Sequence, residues 1–298
     1  MKNWTCIFLV LSLYACDKEF EYIDKDYPQE EPKLFAEGIV NLPDRLQQNI
    51  SISQDGTEYY FTQTDGEIWR YERILRVKFL GGQVELDTPQ FVRDFEYENE
   101  QFIGEPMLSP DDDRLYFIAD YPPDIFSTKR LDNGGWSVVP IKHALSTPKD
   151  DWYVTFSGDN LLFTNGTAYT SSRKNDAYRP AKKLEAEFNN SDVRDPVLSK
   201  DESFIIFAKK ASKESYQMDL FISFKKDGEW SEPIALNDKI NTEAFEFAPY
   251  ISPDGKFLFF SRRDSWINAT YSNIYWVSLS SILESTRDSQ QPQSDPIR

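Results

Sequence analysis

An all-β fold, a five-bladed β-propeller of four-stranded antiparallel blades, is predicted by three features of this 298-residue sequence. A block of about ten residues recurs five times. A second, aromatic strand motif follows each block. A third segment, most often carrying proline, follows in the first four units, and a match for the missing fifth copy stands at the other end of the chain.

The block is clearest as Pro249-Tyr-Ile-Ser-Pro-Asp-Gly-Lys-Phe-Leu-Phe-Phe260. Its other copies run over 50–61, 106–117, 154–163 and 196–207. Each reads as two strands around a tight turn: an apolar run, then Ser-Pro-Asp-Gly or a relative of it, then a run rich in aromatic and β-branched residues. The matched Phe61, Phe117, Phe163, Phe207 and Phe260 are spaced roughly 45 to 55 residues apart, close to the period of a propeller blade. The copy at 154–163 lacks the proline and has a shorter turn, so the surface of that blade is expected to differ.

Third strands are expected at Glu67–Arg70, Asp124–Ser127, Thr167–Thr170, Asp219–Ser223 and Asn273–Ser278. Outer strands are expected at Val84–Phe91, Gly135–Ile141, Ala177–Ala181 and Gly228–Leu236; their prolines suit an edge, where no ladder donor is needed. After Ser278 no such segment follows. Glu31–Val40 fits the part, so the beginning of the folded chain is expected to complete the last blade and close the circle. A sixth blade within 20–48 is the alternative, and it would be truncated. A β-sandwich with coincidental turns is disfavoured by the fixed order of the recurring elements.

Composition narrows function. The net charge of −17 argues against nucleic acid and against polybasic attraction to anionic lipid. The two cysteines, Cys6 and Cys16, both lie in the first sixteen residues, and His143 is the one histidine. A single histidine removes most metal sites and most Ser-His-Asp chemistry, since both need imidazole, and no cofactor or metal is expected. His143 reads as a surface or loop histidine, not a catalytic one. Asp111-Asp112-Asp113 does not have the ligand spacing of an EF-hand loop.

Lys2 precedes an apolar run from Trp4 to Ala15, shorter than the about 20 residues a spanning helix needs. It reads as a signal peptide over 1–15. Leu13-Tyr14-Ala15-Cys16 resembles the lipobox of bacterial lipoproteins, which implies a lipid on Cys16; an ordinary signal peptide is the alternative. Residues 16–32 read as an acidic tether with little capacity to bury apolar surface. This stretch resembles the acidic export signals of Bacteroidetes surface lipoproteins, although Asp17 alone reads as inner-membrane retention. The expected place is the outer membrane of a bacterial envelope, with the propeller over 33–284 and a disordered polar tail over 285–298.

The Pro-x-x-Ser-Pro-Asp-Gly-Lys-x-Leu-x-Phe block with its later Ile274-Tyr-Trp-Val277 strand resembles the WD40-like (PD40) repeats of TolB-type propellers. Ile240-Asn-Thr-Glu243 ahead of Phe247 matches the typical close of exported proteins built from such repeats. The resemblance covers nearly the whole chain after the leader. It implies the fold and little about activity.

In a propeller the first strands line the central channel, so the residues just before them are the candidate ligand-binding set: Glu105, Asp151, Trp152, Arg194, Asp195 and Glu246. Their carboxylates serve either a polar pocket or hydrogen bonds to backbone amides of the neighbouring blade. The expected function is a monomeric binding module for an envelope protein, peptide or glycan. The alternative is an exported glycosidase-like hydrolase using channel carboxylates. No Gly-x-Ser-x-Gly elbow is present to support a serine hydrolase. The long loops at 209–218 and 262–272 read as a partner-binding rim or as tolerated length.

Overall fold

A computed structural model describes residues 20–65, 72–89, 102–120, 122–143, 145, 147, 150–174, 177–190, 192–212 and 217–289. It is a five-bladed propeller. Blade 1 is β2 (Leu46–Ile52), β3 (Glu58–Thr64), β4 (Glu72–Leu80) and β5 (Gln83–Asp87), and blade 2 is β6 (Ile103–Leu108), β7 (Arg114–Ala119), β8 (Asp124–Lys129) and β9 (Ile141–Lys142). Blade 3 has β10 (Trp152–Ser157), β11 (Asn160–Thr164) and β12 (Ala168–Lys174), with β13 (Ala177–Tyr178) and β14 (Lys182–Lys183) outside. Blade 4 has β15 (Arg194–Leu198), β16 (Phe204–Lys210) and β17 (Met218–Lys226), with β18 (Glu229–Trp230) and β19 (Ile234–Ala235) outside. Blade 5 is β20 (Phe245–Ile251), β21 (Phe257–Arg263) and β22 (Ser272–Ser278), completed by β1 (Lys33–Leu34).

Closure is the one the sequence suggests. Lys33 pairs with Trp276 and Leu34 with Tyr275, antiparallel. Phe35 then buries completely against Phe259 and Trp276. The first strands pack in a circle, β2 on β6, β6 on β10, β10 on β15, β15 on β20 and β20 on β2. Aromatic residues of successive second strands, including Tyr59, Phe117, Phe163, Phe207 and Phe259, are fully buried between the sheets.

The Ser-x-Asp turns explain their own sequence. Ser53 Oγ donates to Asp55 and accepts from the Thr57 and Glu58 amides, while Asp55 also accepts from Thr57. Ser109–Asp111, Ser199–Asp201 and Ser252–Asp254 repeat the serine–aspartate bond. The residue after each aspartate is left-handed: Gly56, Asp112, Glu202 and Gly255. Blade 3 replaces this turn with two residues between Ser157 and Asn160.

The described third strand of blade 1 is Glu72–Leu80; the expected Glu67–Arg70 lies outside the described residues. Two expectations are corrected. The outer strands of blades 3 and 4 are split in two, with Pro180 and Pro233 at the gaps, because proline has no amide to give the ladder. The segments read as tether and tail are ordered in part. Tyr22 is buried against Phe257 and Trp276, its hydroxyl donates to Asp254, and the Ile23 amide donates to Tyr59. Helix α1 (Leu279–Ser289) buries Leu279, Ile282 and Thr286, spaced along one face. Residues 1–19, with the leader and Cys16, and 290–298 lie outside the described residues. Among the described residues no helix is long and apolar enough to cross a membrane.

Candidate functional site

Every first strand carries a bulge, and the bulge builds the site. Pairing slips between Gln48 and Ile50, Gly104 and Met107, Trp152 and Thr155, Arg194 and Val197, and Phe247 and Tyr250. The residue at each slip is left-handed: Asn49, Glu105, Tyr153, Asp195 and Ala248, with φ between 48° and 54°. A bulge re-aims the strand and frees an amide. Here each freed amide with an assigned partner reaches the preceding blade.

The acceptors follow a rule. The residue after each matched phenylalanine is Thr62, Ile118, Thr164, Ala208 or Ser261. In blades 1 and 5 its hydroxyl takes the amide of the next blade: Glu105 N–H donates to Thr62 Oγ1 and Asn49 N–H to Ser261 Oγ, both at 2.9 Å. Ile118 and Ala208 have no hydroxyl. There the bulge carboxylate of the same blade substitutes. Tyr153 N–H donates to Glu105 Oε2 at 2.8 Å, and Ala248 N–H donates to Asp195 Oδ2 at 3.0 Å.

The residues one step before the bulge ring the channel mouth. Gln48, Trp152, Arg194 and Phe247 line a cavity of about 480 Å³, joined by the bulge residues Glu105 and Asp195. The fifth ring position is Gly104. A Cβ there would lie 2.3 Å from Glu72 Oε2, so the missing side chain makes room for Glu72 from β4. Asp192, Arg263 and Trp266 complete the polar and aromatic wall.

Four of the six expected residues therefore meet at the mouth: Glu105, Trp152, Arg194 and Asp195. Asp151 and Glu246 sit one residue earlier, where the side chain faces the other way. Asp151 is buried and accepts from Thr147, and burial pushes its carboxyl up to about 6. Glu246 is fully buried, accepts from Thr242 and pairs with Arg262 at 2.7 Å. Gln48, Glu72, Asp192, Phe247, Arg263 and Trp266 were not read from sequence. His143 is buried near the outer edge of blade 2, shares a hydrogen bond with Ser127 at 2.8 Å, and stays neutral because burial lowers its value to about 4.

The mouth concentrates buried charge. Glu72 is 4% exposed; its Oε1 accepts from Gln48 at 3.0 Å, while Oε2 has no protein partner. Burial pushes its carboxyl up to about 8, against the opposing pull of Arg263. Burial, with Asp195 and Glu72 near, raises Glu105 well above the carboxylate range. Asp195 is raised to about 6, mainly by burial. Arg263 is also 4% exposed, donates to Ser265 O and to Gln48 Oε1, and leaves one terminal nitrogen unpartnered. Among the described residues no cluster of His, Cys, Asp and Glu has metal-holding geometry.

The fold and mouth define a five-bladed propeller with a polar, aromatic-flanked site at one end of its channel. No protein-family model matches the chain, and no curated protein matches it. Among solved structures, it is similar to an α-L-arabinofuranosidase from Lactobacillus brevis (TM-score 0.52, 14% identity, 80% of this chain and 92% of that one). It is also similar to the catalytic domain of a GH62 α-L-arabinofuranosidase from Coprinopsis cinerea (TM-score 0.52, 10% identity, 83% and 97%). TolB from Acinetobacter baumannii aligns at a TM-score of 0.47 and 15% identity over 78% of this chain; the chain spans about half the length of that protein, 54%. At these identities the likeness to the arabinofuranosidases is one of fold.

Proposed function

We propose that the protein is a lipid-anchored binding module of a bacterial cell envelope, and that the channel mouth is where it takes its ligand, an envelope glycan, peptide or protein segment. One observation carries this reading. Side chains from all five blades line one cavity, and three of them, Glu72, Asn165 and Arg263, hold a buried polar atom without a partner. A buried polar group without a partner is costly, so such groups point to a ligand or to ordered water. The ordered segment from Phe20 supports the anchoring geometry. Phe20 and Glu21 lie against the Gly56 turn and Tyr22 against the Asp254 turn, at the end of the first strands opposite the mouth. A lipid on Cys16 would hold the mouth away from the membrane.

Hydrolysis is the second reading, favoured by the different environments of the mouth carboxyls: Glu72 is pushed to about 8 and Asp195 to about 6, a separation that suits acid–base work. Against it, Glu105 and Asp195 each hold a backbone amide of the next blade. The test is capture from envelope extract by the Cys16-onward form, alongside Trp266→Ala and Arg263→Gln. A ligand retained by the parent and lost by both variants supports the binding reading. Identical capture by all three refutes it, and turnover of chromogenic glycosides that ceases in Glu72→Gln favours the hydrolase.

A further inference from the structure

We infer that the mouth is built for a neutral sugar residue, with hydroxyls on Glu72, Gln48 and Arg263 and the apolar faces of the ring against Trp152 and Trp266. This rests on the proposed use of the mouth and narrows its ligand.

Three observations lead there. The first is a donor–acceptor chain. Gln48 donates to Glu72 Oε1 at 3.0 Å and accepts from Arg263 at 3.4 Å, so one neutral side chain links the buried carboxyl and the buried guanidinium. What remains is one carboxyl oxygen and one guanidinium nitrogen, both in residues 4% exposed, both in the wall of the same cavity. A hydroxyl can donate and accept, so it satisfies either atom whichever protonation state Glu72 holds. An ammonium group offers only donors, and a carboxylate only acceptors.

The second is charge balance. Arg194 is tied to Asp192 at 3.3 Å, and Arg263 shares the cavity wall with Glu72, Glu105 and Asp195. An anionic ligand meets the aspartates, and a cationic one meets the two guanidinium groups. A neutral ligand rich in hydroxyls meets neither penalty.

The third is the aromatic flank. Trp152 comes from blade 3 and packs edge-on to Phe102; Trp266 comes from the long loop of blade 5 and stacks on Phe245, with Phe247 edge-on. Both indoles are held by other rings yet line the cavity. Fixed aromatic surfaces beside a polar chain suit a molecule with CH-rich faces and a hydroxylated rim, which describes a pyranose or furanose. This also gives a role to the 262–272 loop, which sequence alone left open.

The experiment is calorimetric titration of the folded protein with neutral pentoses and hexoses and their short oligomers, with glucuronic acid, glucosamine and dipeptides as charged comparators. Saturable binding of at least one neutral sugar is expected, weakened about tenfold or more in Arg263→Gln and in Trp266→Ala. Thermal unfolding of both variants shows that they remain folded, and Trp266→Ala serves alone if Arg263→Gln does not. Absence of binding by every neutral sugar at millimolar concentration overturns the inference, as does preferential binding of a charged comparator. If a comparator binds and Trp266→Ala abolishes it, the mouth remains a binding site and only the sugar assignment falls. If nothing binds and envelope capture is also unchanged in the variants, both readings fall.

Discussion

Asp195 and Ala208 offer a compensation test of how the blades are joined. In blade 4 the hydroxyl that Thr62 and Ser261 supply elsewhere is absent, and Asp195 Oδ2 takes the Ala248 amide at 3.0 Å instead. Ala248 has φ of 50° in a bulge, so its amide has little freedom to turn toward another acceptor. Asp195→Ala leaves that amide unsatisfied, a loss of about 1–3 kcal/mol, while relieving the cost of an acid that burial has raised to about 6. The single variant mixes these opposing effects. Ala208→Ser adds a hydroxyl at the position Ser261 holds in blade 5. Alone it is expected to be neutral or mildly destabilising, because the site is fully buried and already served. Beside Asp195→Ala it supplies the missing acceptor. A double-mutant cycle by chemical denaturation at neutral pH should give a favourable coupling of about 1–2 kcal/mol, visible as a recovery of about 2–6 °C in Tm. Additive effects, with coupling inside about 0.5 kcal/mol, would refute the idea that hydroxyl and carboxylate are interchangeable acceptors here.

Asn41→Ala removes three bonds at the closure, from Nδ2 to the Phe35 and Ile274 carbonyls and from the Ile274 amide to Oδ1; it should cost about 2–4 kcal/mol, with faster hydrogen exchange at Ile274. Gly104→Ala places a methyl 2.3 Å from Glu72 Oε2, and should lower stability by about 1–3 kcal/mol, less so when paired with Glu72→Ala. Because Glu72 titrates near 8 in the folded state but near 4.3 unfolded, the folded protein holds the extra proton and stability falls as pH rises through this window. Between pH 6 and 8 the fall from Glu72 is about 2 kcal/mol; subtracting the pH profile of Glu72→Gln from that of the parent should isolate it, and a flat difference would contradict the burial of an acid here. His143, lowered to about 4, acts in the opposite sense below about pH 6.5, so His143→Gln should remain more stable than the parent's trend as pH drops from 6 to 4.

The architecture was legible because it repeats. The Ser-x-Asp turn, the buried phenylalanine and the proline-bearing edge each recur, and the unmatched final blade pointed to Glu31–Val40. In blade 1 the aromatic motif pointed to Glu67–Arg70, outside the described residues, while the described partner of β3 is Glu72–Leu80. The mouth was legible to within one residue. Position ahead of the first strands points equally to Asp151, Trp152 and Glu246, but side-chain parity turns Asp151 and Glu246 away and leaves Trp152 and Phe247 at the mouth. A usable signal existed: the channel residue is the one paired across from the position after the matched phenylalanine, as Gln48 is to Thr62 and Arg194 to Ala208. Glu72, Arg263 and Trp266 carry no such mark, since they come from the ends and loops of the second and third strands.

The same comparison changes how acidity at the mouth should be weighed. Glu105 and Asp195 stand in the two blades that lack a hydroxyl at the position after the matched phenylalanine, so their presence tracks Ile118 and Ala208 before it tracks any ligand. A count of channel carboxylates therefore overstates the chemistry available. Glu72 is different. It holds no amide of a neighbouring blade, Gly104 keeps space open for it, and its second oxygen is left without a partner. A fold does not maintain a buried acid at that cost for stability alone, since an apolar side chain of similar size would pack there without the desolvation of a carboxyl. Glu72 and the neighbouring Arg263 are thus the pair whose replacement separates ligand recognition from the joining of the blades.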